Sequence, residues 1–167
     1  GRMGAALTAA MQKNGIIPCP KHYALNSIED LRFSANAVVD ERTLHEVYLP
    51  HFKKCIDAGA MSIMGAYNKV NGTYCCESKE LLIDILRDMW GFEGFSLSDF
   101  FYGIYDGPRS LKAGMDVEMP YTFRYMFLHN ALKKGEITAE EINTAVCRVL
   151  VALITTLPKH KEVSKSV

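Results

Sequence analysis

The spacing of apolar residues along the chain predicts helices separated by short apolar runs. The first helix should begin at Asp40, a suitable N-cap, and end near Ala58, because Gly59 provides a C-terminal stop. Pro50 is expected to kink this helix, since proline lacks a backbone donor. The apolar face comprises Leu44, Val47, Tyr48, Phe52, Cys55 and Ile56. Such a pattern is typical of a helix that packs one side against a core.

Further helices are predicted in the second half of the chain. They run from Ser78 to a stop at Gly91, from about Tyr121 to Lys134, and from Thr138 onwards. The last has the clearest start, because Thr138 and Glu141 can form a capping box. Apolar residues then follow at helical spacing: Ile142, Ala145, Val146, Val149, Leu150 and Leu153.

Short runs with strand character lie between these helices. They cover residues 16–19, 62–66, 95–98 and 115–119. Strands that alternate with helices imply parallel βαβ units, repeated about four times in this chain. A doubly wound sheet and a (β/α)8 barrel both fit that alternation.

Local motifs favour the barrel. No GxGxxG or GxxxxGK[ST] motif follows a predicted strand, so a nucleotide-binding fold has no support. Polar residues stand instead at the carboxyl ends of the strands: Lys21-His22, Tyr67-Asn68, Asp99 and Glu118. Barrels place their active sites at this face. We therefore predict an α/β fold, a partial (β/α)8 TIM barrel with about the last four βα units in residues 1–157, followed by a polar tail at 158–167.

Composition and charge narrow the classes of function. Lys plus Arg and Asp plus Glu each number 19, so the net charge is zero and no nucleic-acid partner is expected. No apolar run approaches the roughly 20 residues that span a bilayer, so no membrane partner is expected either. The five cysteines contain no CxxC pair, which argues against a zinc site, and their odd number indicates mostly free thiols or a mixture that the sequence does not resolve.

Asp99 is the strongest single candidate for chemistry. It follows an apolar strand, and a carboxylate held there beside cations would stay ionised and could attack an electrophilic carbon. The alternative is that Asp99 only caps the following turn. Lys21-His22 and Arg32 could donate hydrogen bonds to a ligand, although basic residues are more often solvated surface. An aromatic and methionine-rich stretch could form a stacking platform, but core packing is the preferred interpretation for most of it: Met115, Met119, Tyr121, Phe123, Tyr125, Met126 and Phe127.

Five ordered segments together are more specific than any single residue. They are PKHYALN at 20–26, DERTL at 40–44, MGAYNKVNG at 64–72, WGFEGF at 90–95 with Ser98-Asp99, and AGMDVEMP at 113–120. They resemble the KHF, DERTLxExYLxxF, MxAYNxVNG, WGFxGxxxSD and AGxDxEMP segments of glycoside hydrolase family 3. The resemblance covers roughly residues 5 to 155.

The resemblance implies a (β/α)8 barrel with a sugar subsite at the carboxyl ends of its strands. It implies that Asp99 is the nucleophile that forms a covalent glycosyl-enzyme. It also implies that four residues hold the sugar: Lys21, His22, Arg32 and Tyr67. Many family members have Trp after the nucleophile, where this chain has Phe100, so an apolar wall is kept and the indole donor is lost. Glu118 would line the site from its strand end.

The expected function is the retaining hydrolysis of terminal β-glucosidic bonds in β-glucosides or oligosaccharides. Retention requires two carboxyl groups about 5–5.5 Å apart and needs no cofactor. The acid/base glutamate of the family usually comes from a second α/β domain, so we expect it outside this chain. The alternative is a truncated, inactive fragment that self-associates into homo-oligomers, because an open half-barrel exposes strand edges.

Overall fold

The computed structural model describes residues 1–157, so the predicted tail at 158–167 lies outside the described residues. The α-helices are α1 (Arg2–Lys13), α2 (Glu41–Thr43), α3 (Pro50–Asp57), α4 (Gly107–Lys112), α5 (Leu128–Lys133) and α6 (Ala139–Thr156). The strands are β1 (Asn36–Ala37), β2 (Ser62–Met64), β3 (Lys69–Val70), β4 (Thr73–Tyr74) and β5 (Phe95–Leu97). Two π-helices cover Leu44–Tyr48 and Glu80–Met89, and two 3₁₀ turns cover Cys75–Glu77 and Tyr125–Phe127.

Parallel pairing joins segments in the order in which they occur along the chain. Tyr23 bridges to Gly65, β2 pairs with β5, and Leu97 bridges to Val117, all in parallel. The predicted α/β class is therefore confirmed. Within residues 1–157 the sheet stays open and forms no closed barrel, so the partial (β/α)8 barrel remains a prediction.

Two of the predicted strands are confirmed in shortened form, as β2 and β5, and two are wrong. Residues 16–19 form no strand, because Pro18 supplies no backbone donor and its carbonyl accepts instead from the Ser62 hydroxyl at 3.1 Å. Residues 115–119 contribute only the bridge at Val117. The ladder is irregular there, because the carbonyl of Ser96 accepts from the backbone N–H groups of both Asp116 and Val117, at 3.2 and 3.1 Å, and the Ser98 hydroxyl accepts from that of Met119 at 3.0 Å.

Most predicted helices lie at the expected positions, but several of them are divided into shorter segments or adopt π-helical geometry. The predicted helix at 40–58 is divided into α2, a π-helix and α3, and Pro50 begins α3 rather than kinking a continuous helix. Asp40 caps α2, because its carboxylate accepts from the backbone N–H of Thr43 at 2.8 Å. The helix predicted from Ser78 to Gly91 forms as the second π-helix, Glu80–Met89. α4 was not predicted, although Asp106 caps it by accepting from the backbone N–H of Arg109 at 2.9 Å.

The helix predicted at 121–134 is confirmed over its later part and wrong at its start. Only the 3₁₀ turn Tyr125–Phe127 and α5 form there. The backbone N–H groups of Arg124 and Tyr125 donate to the Glu118 carboxylate at 2.8–3.0 Å, and this tertiary contact replaces a helical start. By contrast, α6 forms as predicted, with both hydrogen bonds of the Thr138 capping box present.

The core lies beneath the parallel segments. Its fully buried members include Tyr23, Ile63, Leu82 and Met115, and the Tyr23 hydroxyl donates to the carbonyl of Leu81 at 2.9 Å. A second apolar cluster joins α4, α5 and α6 through Leu111, Leu128, Ala131, Ile137 and Ala145. The cysteines at 19, 55, 75, 76 and 147 are all free thiols, whereas the sequence left a mixture open. In the part of the chain that the structure describes, no helix is long and apolar enough to cross a bilayer.

Candidate active site

Asp99 lies just beyond the carboxyl end of β5 and is 7% exposed. One carboxylate oxygen accepts from the backbone N–H of Phe100 at 2.8 Å, and the other lies 3.2 Å from Nε2 of His22. Parallel pairing brings these residues together. The backbone N–H of Tyr23 donates to the carbonyl of Met64 at 2.8 Å, which places His22 beside the carboxyl end of β2, the strand that pairs with β5. Asp99 therefore does more than cap a turn, because it faces a second polar side chain.

Tyr67 contacts the residue that follows Asp99. Its hydroxyl donates to the carbonyl of Phe100 at 2.6 Å. Burial and the neighbouring Asp99 carboxylate raise the pKa of Tyr67 to about 12. The phenol therefore stays protonated near neutral pH and remains a hydrogen-bond donor at the site.

Arg32 stands on the loop between Tyr23 and β1. Its guanidinium lies 5.0 Å from the centre of the Tyr67 ring and 5.1 Å from that of Phe33, and it pairs with Glu29 at 2.5 Å. Lys21 is exposed and makes no hydrogen bond or ion pair with another residue among 1–157. The structure thus gathers Asp99, His22, Tyr67 and Arg32 at one edge of the sheet, with Lys21 adjacent to His22 along the chain.

A tight turn after Asp99 shapes this edge. Phe101 has a φ of 66°, and a Cβ on Gly103 would lie 2.5 Å from the carbonyl oxygen of Asp99. Glycine is required there, because any side chain would push against the backbone that carries the carboxylate. The sequence motifs do not single out Gly103, although it stands four residues after Asp99.

The other buried carboxylates already have partners. Glu118 accepts from the backbone N–H groups of residues 124 and 125, so its carboxylate is occupied within its own loop, and its place in the site lining stays a prediction. Asp116 pairs with Arg87 at 2.7 Å and with Arg148 at 2.9 Å. Glu77 accepts from the backbone N–H of Asp106 at 2.9 Å. Asp99 differs from them, because its carboxylate lies against His22 and beside the phenol of Tyr67 at the candidate site.

An exposed aromatic group, here called the aromatic rim, lies beside the turn that follows Asp99. It consists of Phe101, Tyr121 and Phe123, whose ring centres are 6.0–6.4 Å apart. The preferred interpretation of core packing is wrong for Tyr121, Phe123, Met126 and Phe127, which are exposed, whereas Met115 is fully buried. Periodicity could not separate these cases, since both kinds of residue are equally apolar.

Residues 1–157 contain no group of three or more His, Cys, Asp or Glu side chains that could hold a metal ion. What the arrangement offers is a buried carboxylate next to an imidazole, a phenol and a guanidinium. Such donors can hold the hydroxyl groups of a sugar while the carboxylate faces it.

Comparison with known proteins fits this arrangement. A model of the glycosyl hydrolase family 3 N-terminal domain matches residues 1–152. The chain belongs to glycoside hydrolase family 3. It is 41% identical over 155 residues to a β-glucosidase of Kluyveromyces marxianus, covering 90% of this chain and 18% of that protein. It is 35% identical over 163 residues to the thermostable β-glucosidase B of Acetivibrio thermocellus, covering 96% of this chain and 22% of that protein.

Solved structures of the family share the fold. The structure of β-glucosidase 3B from Thermotoga neapolitana in complex with glucose superposes with a TM-score of 0.86 at 34% identity, covering 90% of this chain and 22% of that chain. The K. marxianus β-glucosidase in complex with glucose gives a TM-score of 0.86 at 39% identity, covering 91% of this chain and 19% of that chain. The family 3 chain described here therefore spans about a fifth of the length of these relatives.

Proposed function

We propose that this family 3 chain contributes the nucleophile of a retaining β-glucosidase, and that Asp99 is that nucleophile. The observation that carries the proposal is the environment of its carboxylate, which is nearly buried, accepts from the N–H of Phe100, and lies against His22 and beside the phenol of Tyr67. A carboxylate has about four lone-pair positions, so oxygen lone pairs remain for attack on a sugar carbon.

In the proposed reaction a carboxylate oxygen of Asp99 attacks the anomeric carbon. The bond from that carbon to the aglycone oxygen breaks, and the oxygen takes a proton from a general acid. A water molecule, deprotonated by the same group, then attacks the anomeric carbon and releases Asp99. Because the other buried carboxylates, Glu77, Asp116 and Glu118, are engaged elsewhere, we propose that the acid lies outside residues 1–157.

The residues around Asp99 take the roles of sugar ligands. The imidazole of His22 and the phenol of Tyr67 are placed to hold hydroxyl groups next to the reacting carbon, and Arg32 keeps a positive charge near the carboxylate. Lys21, exposed beside His22, can turn towards a bound sugar. A β-glucoside is the substrate class favoured, since the relatives are named β-glucosidases and two related structures hold glucose. The chemistry needs no cofactor.

We further propose that residues 1–157 are the C-terminal part of a barrel domain. The support is the parallel order of the segments at Tyr23, β2, β5 and Val117, which follow one another along the chain without a reversal. Consecutive strands of a (β/α)8 barrel have this order, and its active site lies at their carboxyl ends.

The test is an intact-mass experiment with a 2-deoxy-2-fluoro-β-glucoside that carries a very good leaving group. Such a reagent needs little help from an acid, so it probes the nucleophile alone. A stable adduct on a peptide containing Asp99 is expected, and Asp99→Asn should abolish it while circular dichroism stays unchanged. Glu118→Gln is the matched control, because it changes a carboxylate that already has backbone partners. A folded wild-type chain that gains no mass, or an adduct that survives in Asp99→Asn, would contradict the assignment.

Self-association of an inactive chain is the second candidate, and one face of α6 favours it. Large aliphatic side chains there are exposed at helical spacing: Val146, Leu150, Leu153, Ile154 and Leu157. The opposite face uses small residues, Ala145 and Ala152, to contact the rest of the structure. With zero net charge, two copies would not repel each other.

Size-exclusion chromatography with light scattering tests this candidate. A dimer or larger species is expected if the α6 face is covered by a second copy. The double substitution Leu150→Lys and Ile154→Lys should shift the chain to a monomer, whereas Val38→Lys, at an exposed position outside α6, should not. A wild-type chain that is already monomeric would exclude self-association.

A further inference from the structure

The loop that carries Arg32 is tied to the body of the structure by two tyrosines. The carbonyl of Phe33 accepts hydrogen bonds from the hydroxyls of Tyr74 at 3.3 Å and Tyr105 at 3.0 Å. The two phenol rings stack on each other with their centres 4.1 Å apart. These tyrosines lie 41 and 72 residues from Phe33 along the chain, so they fix the loop from outside.

Both tyrosines are themselves held. Tyr74 lies in β4, which pairs with β3, and the Lys69 ammonium stands 4.7 Å from its ring centre. The backbone N–H of Tyr105 donates to the buried carboxylate of Glu77 at 3.2 Å. Burial and the neighbouring Tyr74 raise the pKa of Tyr105 to about 12, so its hydroxyl remains a donor at neutral pH.

The side chain of Phe33 connects this loop to the residues around Asp99. Its ring packs edge-on against Tyr67, with ring centres 4.8 Å apart, and against Tyr102 at 5.4 Å. The Arg32 guanidinium lies about equally far from the Phe33 and Tyr67 rings. Most other residues of the loop from 26 to 34 are exposed. A displaced Phe33 would therefore release Arg32 and remove the packing that orients Tyr67.

We propose that Tyr74 and Tyr105 are positioning residues of the sugar subsite: they clasp the carbonyl of Phe33 and thereby hold Arg32 and Tyr67 towards Asp99. The consequence for sugar binding rests on the function proposed above. The two hydrogen bonds from Tyr74 and Tyr105 to the carbonyl of Phe33, here called the clasp, do not depend on that function, because they belong to the structure of the loop.

Tyr74→Phe, Tyr105→Phe and the double variant remove the hydroxyls and keep the rings. Tyr125→Phe is the matched control, because it loses a similar bond, from its hydroxyl to the carbonyl of Met115, without contacting the loop. Amide hydrogen exchange of peptides covering 25–35 is the first measurement. Each clasp variant should exchange about fivefold faster there, the loss expected from one hydrogen bond, and the control should not. Equal exchange in all variants would overturn the clasp.

Labelling by the fluoro-glucoside is the second measurement. The double variant should require a higher reagent concentration for half-saturation, by about tenfold, with a smaller change in the labelling rate at saturation, because positioning residues act on binding. Phe33→Leu keeps the carbonyl and removes the ring, so it should weaken binding while exchange at 25–35 stays near wild type. Unchanged binding in these variants would overturn the positioning role. If wild type is not labelled at all, the function proposed above fails, and hydrogen exchange still decides the clasp.

Discussion

At the scale of single residues, Asp116 shows how a buried carboxylate can be structural. Its two oxygens pair with Arg87 and Arg148, and one also accepts from the backbone N–H of Ser96 at 2.8 Å. Burial lowers the pKa of Arg87 to about 10, and the Asp116 carboxylate opposes this shift. The guanidinium therefore stays charged near neutral pH and depends on Asp116. Asp116 therefore links the second π-helix, which carries Arg87, to β5 and α6.

Asp116→Ala should lower the free energy of unfolding by about 3–5 kcal/mol, because it leaves Arg87 charged, buried and unpaired. Urea unfolding followed by circular dichroism measures the change. Glu136→Ala is the comparison, since the Glu136 carboxylate pairs with Lys134 at 3.8 Å on the exposed surface. A loss of no more than about 1 kcal/mol is expected for that variant. Similar losses in the two variants would show that the buried ion pairs are not what holds these elements together.

At the scale of elements, α6 depends on a signal that is local in the sequence. The Thr138 hydroxyl accepts from the backbone N–H of Glu141 at 3.2 Å, and the Glu141 carboxylate accepts from that of Thr138 at 2.7 Å. Thr138→Ala removes the first of these bonds and should cost about 0.5–2 kcal/mol of stability in urea unfolding. Thr144→Ala changes an exposed threonine inside the same helix and should have no cost, since alanine has the higher helix propensity. A neutral Thr138→Ala would mean that tertiary packing alone sets the start of α6.

The same distinction explains which elements were predictable. Patterns among residues close in the sequence predicted the α6 cap, the Asp40 cap and the strands β2 and β5. The start of the helix predicted at 121–134 could not be placed correctly, because the backbone N–H groups of Arg124 and Tyr125 donate to Glu118, which lies outside the helical pattern. Likewise, ordered motifs identified Asp99 and His22, whose contact at 3.2 Å follows from parallel strands. The contacts of Phe33 with Tyr74 and Tyr105 depend on the folded chain and leave no local pattern.

At the scale of the whole molecule, several phenols and thiols are buried in their neutral forms. Burial raises the pKa of Tyr23 and Tyr125 above the usual value and that of Cys75 to about 12. In the unfolded chain, cysteine and tyrosine ionise near pH 8.5 and about 10. The folded chain therefore keeps protons that the unfolded chain releases over this range. Stability from these groups is fully present below the unfolded pKa values and is lost as the pH rises towards the folded ones.

The free energy of unfolding should consequently fall as the pH is raised from about 8.5 to about 12, with a slope of about 1.4 kcal/mol per pH unit for each proton retained. Urea titrations across this range measure the slope, and phenolate absorbance measures the tyrosine part separately. The folded chain should show fewer than its eight tyrosines as phenolate at a pH where the urea-unfolded chain has ionised fully. Tyr125→Phe should reduce the slope above about pH 10 by the contribution of one retained proton, because the variant lacks the buried hydroxyl of Tyr125. Coincident titration of the folded and unfolded chains would contradict the burial of these phenols, and with it the packing of Tyr23 and Tyr125 beneath the candidate site.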